Sequence, residues 1–600
     1  MDPEKTGDTM RQNQKTLLFL YRISGRAKWQ IPVLLAAQIL IGLCGIFYAL
    51  FLRTIIDAAA GGRKEAFLAG IAGFTILMCL QLLLRSAERY LSEGVRSRLE
   101  NRLKAFLYGR LMERGYGAVT AVHTGEWMNR LTSDTTVVAD AMTELLPGAG
   151  GMAVRLAGAV IMLGVLEPGF LAFLLPAGAV LLIFSAAFRR IMKRLHREVQ
   201  EADGRLRIFL QETLESLLIV HTYSVEQAME HEADRKMGDH RQIRMKRSAF
   251  SVFCNLGFGF LMNLAYLLGA FYCGWGILTG TMSYGTFTAV LQLVGQVQSP
   301  FAGLSGLMPR YYSMLASAER LMEADALEEK DDGEAMSSRQ IREVYGTRME
   351  SFGIAGGKFT YIPRSGEKKE QMPVALSGLD LTVKKGEYVA FAGPSGCGKS
   401  TLLKLFLCLF PLDAGERYVQ LKGKRLPLTS AWQRLFAYVP QGNYLMSGTI
   451  REIITLADRE HAGDEERLGR ALRIACADLF VEGLEEGVDT RLGERGLGLS
   501  EGQMQRLAIA RAVFSDHPVL LLDECTSALD GETEKRLLEN LKRMTDKTVI
   551  LVTHRPEALK ICDQVVTFSE EGTVTKKRND RRKYETTGSP CMETASGIHL

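Results

Sequence analysis

The chain has 600 residues, 47% of them hydrophobic and 24% charged, with a formal net charge of +5. This length calls for several domains, and so small a positive excess makes no case for nucleic acid as a partner. The ten cysteines are scattered with no C-x-x-C pair, so neither a zinc site nor a disulfide framework is indicated.

Residues 1–28 are polar, with Lys15, Arg22, Arg26 and Lys28 ahead of the first apolar run. That run is too long for a signal-peptide core and lacks a small-residue cleavage site, so 1–28 reads as a cytoplasmic N-terminal segment. Ile31 to Leu52 carries no charge and is long enough to cross a bilayer. Further runs at 66–84, 146–166, 169–188, 249–278 and 284–308 bring the expected spans to six. The segments between them, 85–143 and 189–248, are rich in Arg and Lys. Arg189, Arg190, Lys193, Arg194 and Arg197 directly follow the fourth span, which places both segments and the N-terminus in the cytoplasm. An even number of spans returns the second half there too. No proline interrupts 33–146 or 177–299, so both segments are expected to be helical extensions of the spans. In the last span Gln292, Gln296 and Ser299 share one helix face; that face either lines a path or bonds a neighbouring helix. Arg155, in the third span, reads as snorkelling to the inner headgroups, with a place on the path as the alternative.

The expected domains are therefore an all-α, six-helix transmembrane domain over 29–324, a charged linker over 325–348, and a soluble α/β domain over 349–572. In the last, apolar runs alternate with helical patterns, which predicts a largely parallel sheet. Residues 573–600 are rich in Lys, Arg, Thr and Ser and read as a disordered tail.

The soluble domain carries the chemistry. Tyr388 to Ala392 predicts a buried strand and Leu402 to Leu407 the start of a helix. Between them lies Gly393-Pro394-Ser395-Gly396-Cys397-Gly398-Lys399-Ser400-Thr401, the G-x-x-x-x-G-K-[ST] phosphate-binding loop in its required context. The glycines let backbone N–H groups turn inward around a phosphate at a helix N-terminus. Lys399 can reach the β- and γ-phosphates of ATP, and the Ser400 hydroxyl can ligate Mg²⁺. Val519 to Leu522 is an apolar strand ending in Asp523 and Glu524. The first acid can hold Mg²⁺ through water, and the second can orient or deprotonate the attacking water. In Leu499-Ser500-Glu501-Gly502-Gln503, Ser500 and Gln503 have capping-box spacing, so a helix should start here with N–H groups open to an anion.

Taken together these residues resemble the ATP-binding cassette (ABC) transporters, specifically the exporter-type half-transporter in which a membrane domain precedes one nucleotide-binding cassette. Gly393 to Thr401 resembles the Walker A motif, Gln441 the Q-loop, and Leu499 to Gln503 the signature. Asp523 with Glu524 resembles Walker B and the catalytic glutamate, Ser527 to Asp530 the D-loop, and His554 the switch histidine. Tyr361 sits where the family stacks an aromatic ring on adenine. The resemblance implies ATP and Mg²⁺ as cofactors. It implies Glu524, His554 and Gln441 in catalysis, and Ser400, Gln441 and Asp523 around the metal. Ser500, Gly502, Gln503 and Asp530 would act on nucleotide held by a second chain. Thr124 to Asp134 and Leu214 to Glu226 are similar to the two cytoplasmic loops whose short helices dock on the cassettes.

The same resemblance implies ATP-driven export of a lipid, drug-like compound or peptide by a dimer with two ATP sites at the cassette interface. The setting would be a bacterial inner membrane, with the cassette and both termini cytoplasmic. An importer on the same scaffold and an ATP-gated channel are the alternatives. One residue departs from the usual Leu-Ser-Gly-Gly-Gln signature: the third position is Glu501. A homodimer is favoured, and Glu501 leaves an asymmetric heterodimer as the alternative.

Overall fold

The computed structural model describes residues 3–329, 334–361, 374–442, 445–493, 498–569 and 574–578. The chain divides into two compact units, 1–108 with 129–323, and 109–128 with 324–600. In chain order the first eleven helices are α1 (Pro3–Ser24), α2 (Ala27–Ala60), α3 (Lys64–Glu113), α4 (Tyr116–Thr120), α5 (Thr124–Asn129), α6 (Thr135–Leu166), α7 (Pro168–Glu215), α8 (Leu217–Thr222), α9 (Glu226–Leu278), α10 (Tyr284–Ala326) and α11 (Ser338–Thr347), with a π-helical turn over Arg130–Asp134.

Four helical stretches, Ala27–Ala60, Lys64–Glu113, Thr124–Leu166 and Glu226–Leu278, are long and apolar enough among the described residues to cross a membrane. The other two expected spans lie on α7 and α10, where the side chains of 171–187 and 298–306 fall outside the described residues. Close approach in the first unit rests on small residues, as is usual between membrane helices. A Cβ on Gly150 would lie 2.1 Å from Leu35 and one on Gly158 2.0 Å from Ile46, so α6 meets α2 through its glycines. Ile46, Ala49, Ala159, Leu163, Leu293 and Val294 close the core between α2, α6 and α10. Gln296 donates to the Gly45 carbonyl of α2, so at this position the polar face of the last span bonds a neighbouring helix; Ser299 falls outside the described side chains. At the start of α6 Asp134, 2% exposed, accepts hydrogen bonds from Ser317 Oγ and Arg320 Nε, each at 2.8 Å. Arg130 pairs with Glu323 at 2.7 Å.

In the second unit, residues 325–348 are more than the linker expected. α11 begins with a Ser337/Gln340 capping box and buries Ile341 and Tyr345. The Tyr345 hydroxyl lies 2.8 Å from Thr548 Oγ1, and Arg342 pairs with Asp516 at 2.6 Å. Ile341, Val344 and Tyr345 have the i, i+3, i+4 spacing of one apolar helix face, which the surrounding charge conceals.

The strands are β1 (Met349–Thr360), β2 (Val374–Lys384), β3 (Tyr388–Ala392), β4 (Ala414–Leu421), β5 (Lys424–Pro427), β6 (Phe436–Val439), β7 (Gly448–Thr449), β8 (Arg491–Leu492), β9 (Val519–Asp523), β10 (Thr548–Val552), β11 (Gln564–Phe568) and β12 (Val574–Arg578). The remaining helices are α12 (Lys399–Phe406), α13 (Ile450–Thr455), α14 (Glu465–Ile474), α15 (Asp478–Glu482), α16 (Glu501–Phe514), α17 (Gly531–Lys542) and α18 (Pro556–Lys560). One sheet runs β12-β11-β3-β10-β9-β6, parallel except for the β11–β12 pair. β9 and β10 are buried along their whole length, the unbroken apolar run of strands covered on both faces. A second, antiparallel sheet runs β2-β1-β4-β5. β12 runs past the boundary expected at 572: residues 574–578 pair with β11. The rest of the expected tail, 579–600, lies outside the described residues.

Candidate functional site

The strand order determines the site. β3, β10, β9 and β6 are consecutive neighbours, and a parallel sheet presents all their C-terminal ends on one edge, where such sheets bind ligands. The glycine-rich loop leaves β3, His554 follows β10, Asp523 and Glu524 end β9, and Gln441 follows β6. Sequence positions more than 160 residues apart are thus brought to adjacent strand tips.

In the loop, Gly393, Gly396 and Gly398 take φ of 140°, 84° and 97°, which side chains with a Cβ resist. A Cβ on Gly393 would lie 2.5 Å from the Phe568 carbonyl, and one on Gly398 2.7 Å from Leu376. Pro394, Ser395 and Cys397 complete the loop; Cys397 is buried. Lys399, 5% exposed, donates to the carbonyls of Gly393 and Pro394, both at 2.7 Å. Its ammonium therefore lies across the mouth of a loop shaped for a phosphate. Thr401 meets the Tyr361 hydroxyl at 2.7 Å.

Ser400 Oγ donates to Asp523 Oδ1 at 3.0 Å, and Tyr438 OH to Asp523 Oδ2 at 3.2 Å. Burial pushes the Asp523 carboxyl above its usual range, against the pull of these two hydrogen bonds and with a further push from Glu524. A hydroxyl beside an anion that burial disfavours is a donor set suited to Mg²⁺, which takes one or two protein oxygens and keeps phosphate and water for the rest. Gln441, expected in catalysis and at the metal, donates to Glu524 Oε2 at 2.7 Å. His554 Nε2 stands 4.0 Å from Glu524 Oε1. Glu524 has a left-handed backbone, φ 48°, held by its N–H bond to the Val552 carbonyl. Strain of this kind, of order 1–3 kcal/mol, gathers at functional sites.

The signature segment forms the predicted cap. Ser500 Oγ accepts from the Gln503 N–H while Gln503 Oε1 accepts from the Ser500 N–H, and α16 starts at Glu501, whose side chain is exposed. Gly502 fits because a Cβ there would lie 2.8 Å from the Ala528 carbonyl. Asp530 caps α17 through the Thr533 N–H at 2.9 Å, a bond that holds its carboxyl below the usual range. Among the described residues no hydrogen bond or ion pair joins Ser500, Gln503 or Asp530 to the glycine-rich loop of the same chain.

Three further residues complete this edge. Tyr438 bonds Asp523, as above. Gln505, 5% exposed, bonds Ser527 Oγ at 3.0 Å and the Ala528 N–H at 3.2 Å. Arg555 bonds the carbonyls of Ser527 and Leu529 and pairs with Glu534 at 2.6 Å, fixing the segment after Glu524. Tyr438 and Arg555 flank recognised motif residues; Gln505 gives no sequence signal beyond a polar residue on an apolar helix.

Residues 31–301 match the family model described as "ABC transporter transmembrane region", and residues 376–527 the model described as "ABC transporter". The chain is 28% identical over 538 residues to an "ATP-dependent lipid A-core flippase" of Vibrio cholerae, covering 88% of each protein. It is 29% identical over 475 residues to the "ABC transporter B family member 29, chloroplastic" of Arabidopsis thaliana, covering 77% of this chain and 72% of that one. Among solved structures, a bacterial Atm1-family ABC exporter with ATP bound shares the fold, with a TM-score of 0.76 at 20% identity over 93% of this chain and 96% of that one.

Proposed function

The chain belongs to the ABC transporters, as an ATP-hydrolysing exporter of the half-transporter type, and on that premise we propose that it exports an amphiphilic, acidic substrate as a homodimer. The observation that carries the ATPase reading is the convergence of Ser400, Asp523, Glu524, Gln441 and His554 on adjacent strand tips. Lys399 and the loop N–H groups hold the phosphates of ATP. Ser400 and Asp523 would hold Mg²⁺, which would supply charge neutralisation on the transferred group. Glu524 takes the proton of the attacking water, with Gln441 orienting its carboxylate and His554 beside it. Ser500, Gly502, Gln503 and Asp530, occupied in or beside local helix caps, serve the second chain's nucleotide.

Support for the second chain comes from helix α8. It is only six residues long, yet Leu218, Ile219 and the adjoining Tyr223 are 81%, 57% and 74% exposed. Apolar groups so placed call for a partner surface.

Support for the substrate class comes from Arg155. Its stem lies against Gly42 of α2, Arg85 is a neighbouring charge, and no hydrogen bond or ion pair satisfies it among the described residues. A guanidinium without a partner of its own on α6, beside the exposed Arg85 at the end of the second apolar run, favours an acidic headgroup over a neutral drug. The flippase relatives are named for a lipid, lipid A-core. We place the protein in a bacterial inner membrane with the cassette in the cytoplasm. The test is ATPase activity in nanodiscs across anionic lipids, neutral lipids and neutral drugs, followed by transport in sealed inverted vesicles. Stimulation and ATP-dependent uptake of anionic amphiphiles support the reading; stimulation by neutral compounds alone overturns the substrate class. Glu501 favours a second reading, an asymmetric heterodimer in which this chain weakens its partner's site.

A further inference from the structure

Four side chains of the second unit form an unbroken line from a cytoplasmic helix to the glycine-rich loop. Tyr116, at the start of α4, meets Phe410 edge to face, ring centroids 5.7 Å apart. Phe410 meets Tyr361 in the same way at 5.5 Å. The Tyr361 hydroxyl lies 2.7 Å from Thr401 Oγ1, in the first turn of α12. Phe359 braces the middle, 5.3 Å from Phe410 and 4.9 Å from Tyr361.

The ends of the line are anchored. Arg417 donates to the Phe410 carbonyl at 2.8 Å and to the Leu405 carbonyl at 3.2 Å, fixing the backbone of the loop after α12 and leaving the Phe410 ring as the part that can yield. At the other end the Gly115 N–H bonds the Glu328 carbonyl at 3.1 Å. Arg114 pairs with Glu329 at 2.7 Å, and Trp127 Nε1 donates to the Val119 carbonyl at 2.9 Å. α4 is thus tied to α5 and to the chain that enters the cassette. A displacement of Tyr116 is carried by this whole segment.

We propose that Phe410 couples Tyr361 to Tyr116, so that Tyr116 and Phe410 act as positioning residues for nucleotide binding and α4 senses whether the base is in place. The proposal rests on the reading of Tyr361 as the residue that meets the adenine. A base that orders Tyr361 also orders Phe410, because an edge-to-face pair loses its favourable contact when either ring turns. Each such pair shifts an equilibrium by roughly two- to tenfold. Coupling of this kind is reciprocal: whatever moves α4 alters the affinity for ATP. A plain core plug would behave otherwise. Tyr116 is 45% exposed, and trimming a half-exposed ring outside a coupled line would leave nucleotide affinity unchanged.

The experiment uses the full chain in nanodiscs, with equilibrium binding of trinitrophenyl-ATP and the KM and kcat of ATP hydrolysis as readouts. Tyr116→Ala and Tyr361→Phe should each weaken binding about fivefold, with KM moving more than kcat, and the double variant should be about fivefold weaker as well. Tyr116→Phe, which keeps the ring, should bind as the parent does. Unchanged binding in Tyr116→Ala, or a double variant about 25-fold weaker as independent sites require, overturns the coupling. Tyr361→Ala separates the two readings. If it leaves binding unchanged, the assignment of Tyr361 to the base is wrong; if it weakens binding while Tyr116→Ala does not, only the coupling is. Phe410→Leu is a supplementary variant, and the outcome does not depend on its folding.

Discussion

Gln441 Nε2 lies 2.7 Å from Glu524 Oε2, so a residue just past the end of β6 holds the carboxylate that follows the neighbouring strand β9. The other oxygen is left toward His554, 4.0 Å away. A carboxylate held in this way, on a strained left-handed backbone, is oriented before substrate arrives.

Glu524→Gln tests this role. The amide keeps the shape of the side chain but cannot take a proton, and it presents a donor where Gln441 expects an acceptor. Turnover should fall by about 10²–10⁴, the usual worth of a general base, while ATP binding persists. His554→Ala should be nearly as severe. Near-normal turnover in purified Glu524→Gln would remove Glu524 from the chemistry.

Cys397 gives an independent check on the loop. Its sulfur is 3.8 Å from Lys399 Nζ, inside the expected phosphate cradle and 7% exposed. Alkylation with a maleimide should abolish nucleotide binding, and saturating ATP should protect the thiol. Mass-spectrometric labelling at Cys397 that ATP leaves unchanged would count against a phosphate in this loop.

Most of this edge was legible in the sequence because each motif carries a local signature. The glycines announce positive φ, the apolar run before Asp523 announces a strand buried on both faces, and Ser500 with Gln503 announces a cap. What escaped depends on tertiary contact. Gln441 meeting Glu524 follows from β6 pairing with β9, and no spacing encodes that. α11 hid because only Ile341 and Tyr345 are buried in a charged stretch. β12 hid because an edge strand that carries lysines looks like a tail.

The ionic cluster at Asp134 should stabilise the first unit. Asp134→Asn removes the charge that Arg320 pairs with; the Arg320 side chain is 41% exposed, so water recovers part of the loss and the expected cost is about 1–3 kcal/mol. Removing Arg194 from its exposed pair with Glu198 (82% and 38% exposed) should cost close to nothing. Thermal inactivation of the two variants in nanodiscs compares them directly, and equal half-lives would show that the buried cluster contributes no more than the surface pair.

His517 predicts a pH dependence of cassette stability. Burial holds its imidazole below the ordinary value, against a hydrogen bond to the Phe436 carbonyl. The unfolded chain therefore binds the proton more readily than the folded one, and stability falls as pH drops below about 6.5. Thermal midpoints of the parent chain and His517→Gln at pH 7.5 and 5.5 should differ, with the parent losing more on acidification. Parallel losses would assign the acid sensitivity to other groups.

Glu501 decides the oligomer. Its side chain is exposed at the first turn of α16, where a carboxylate suits the helix dipole by roughly 0.3–1 kcal/mol. In the dimer proposed above that turn would face the partner's nucleotide, and a carboxylate aimed at a γ-phosphate would cost a few kcal/mol at an effective dielectric of about 20. In a homodimer every site must accept Glu501. In a heterodimer the cost is confined to one. The Walker-side residues of this chain converge without a substitution that would disable them, and symmetric assembly is the commoner outcome, so the lone chain, purified in nanodiscs, should hydrolyse ATP unaided. Glu501→Gly should then change turnover by no more than about threefold, the dipole gain and any residual repulsion being of similar size. A lone chain that is inactive until a second half-transporter is co-expressed would overturn the homodimer. Nucleotide trapping at one site per dimer, restored to two by Glu501→Gly, would then identify Glu501 as the cause.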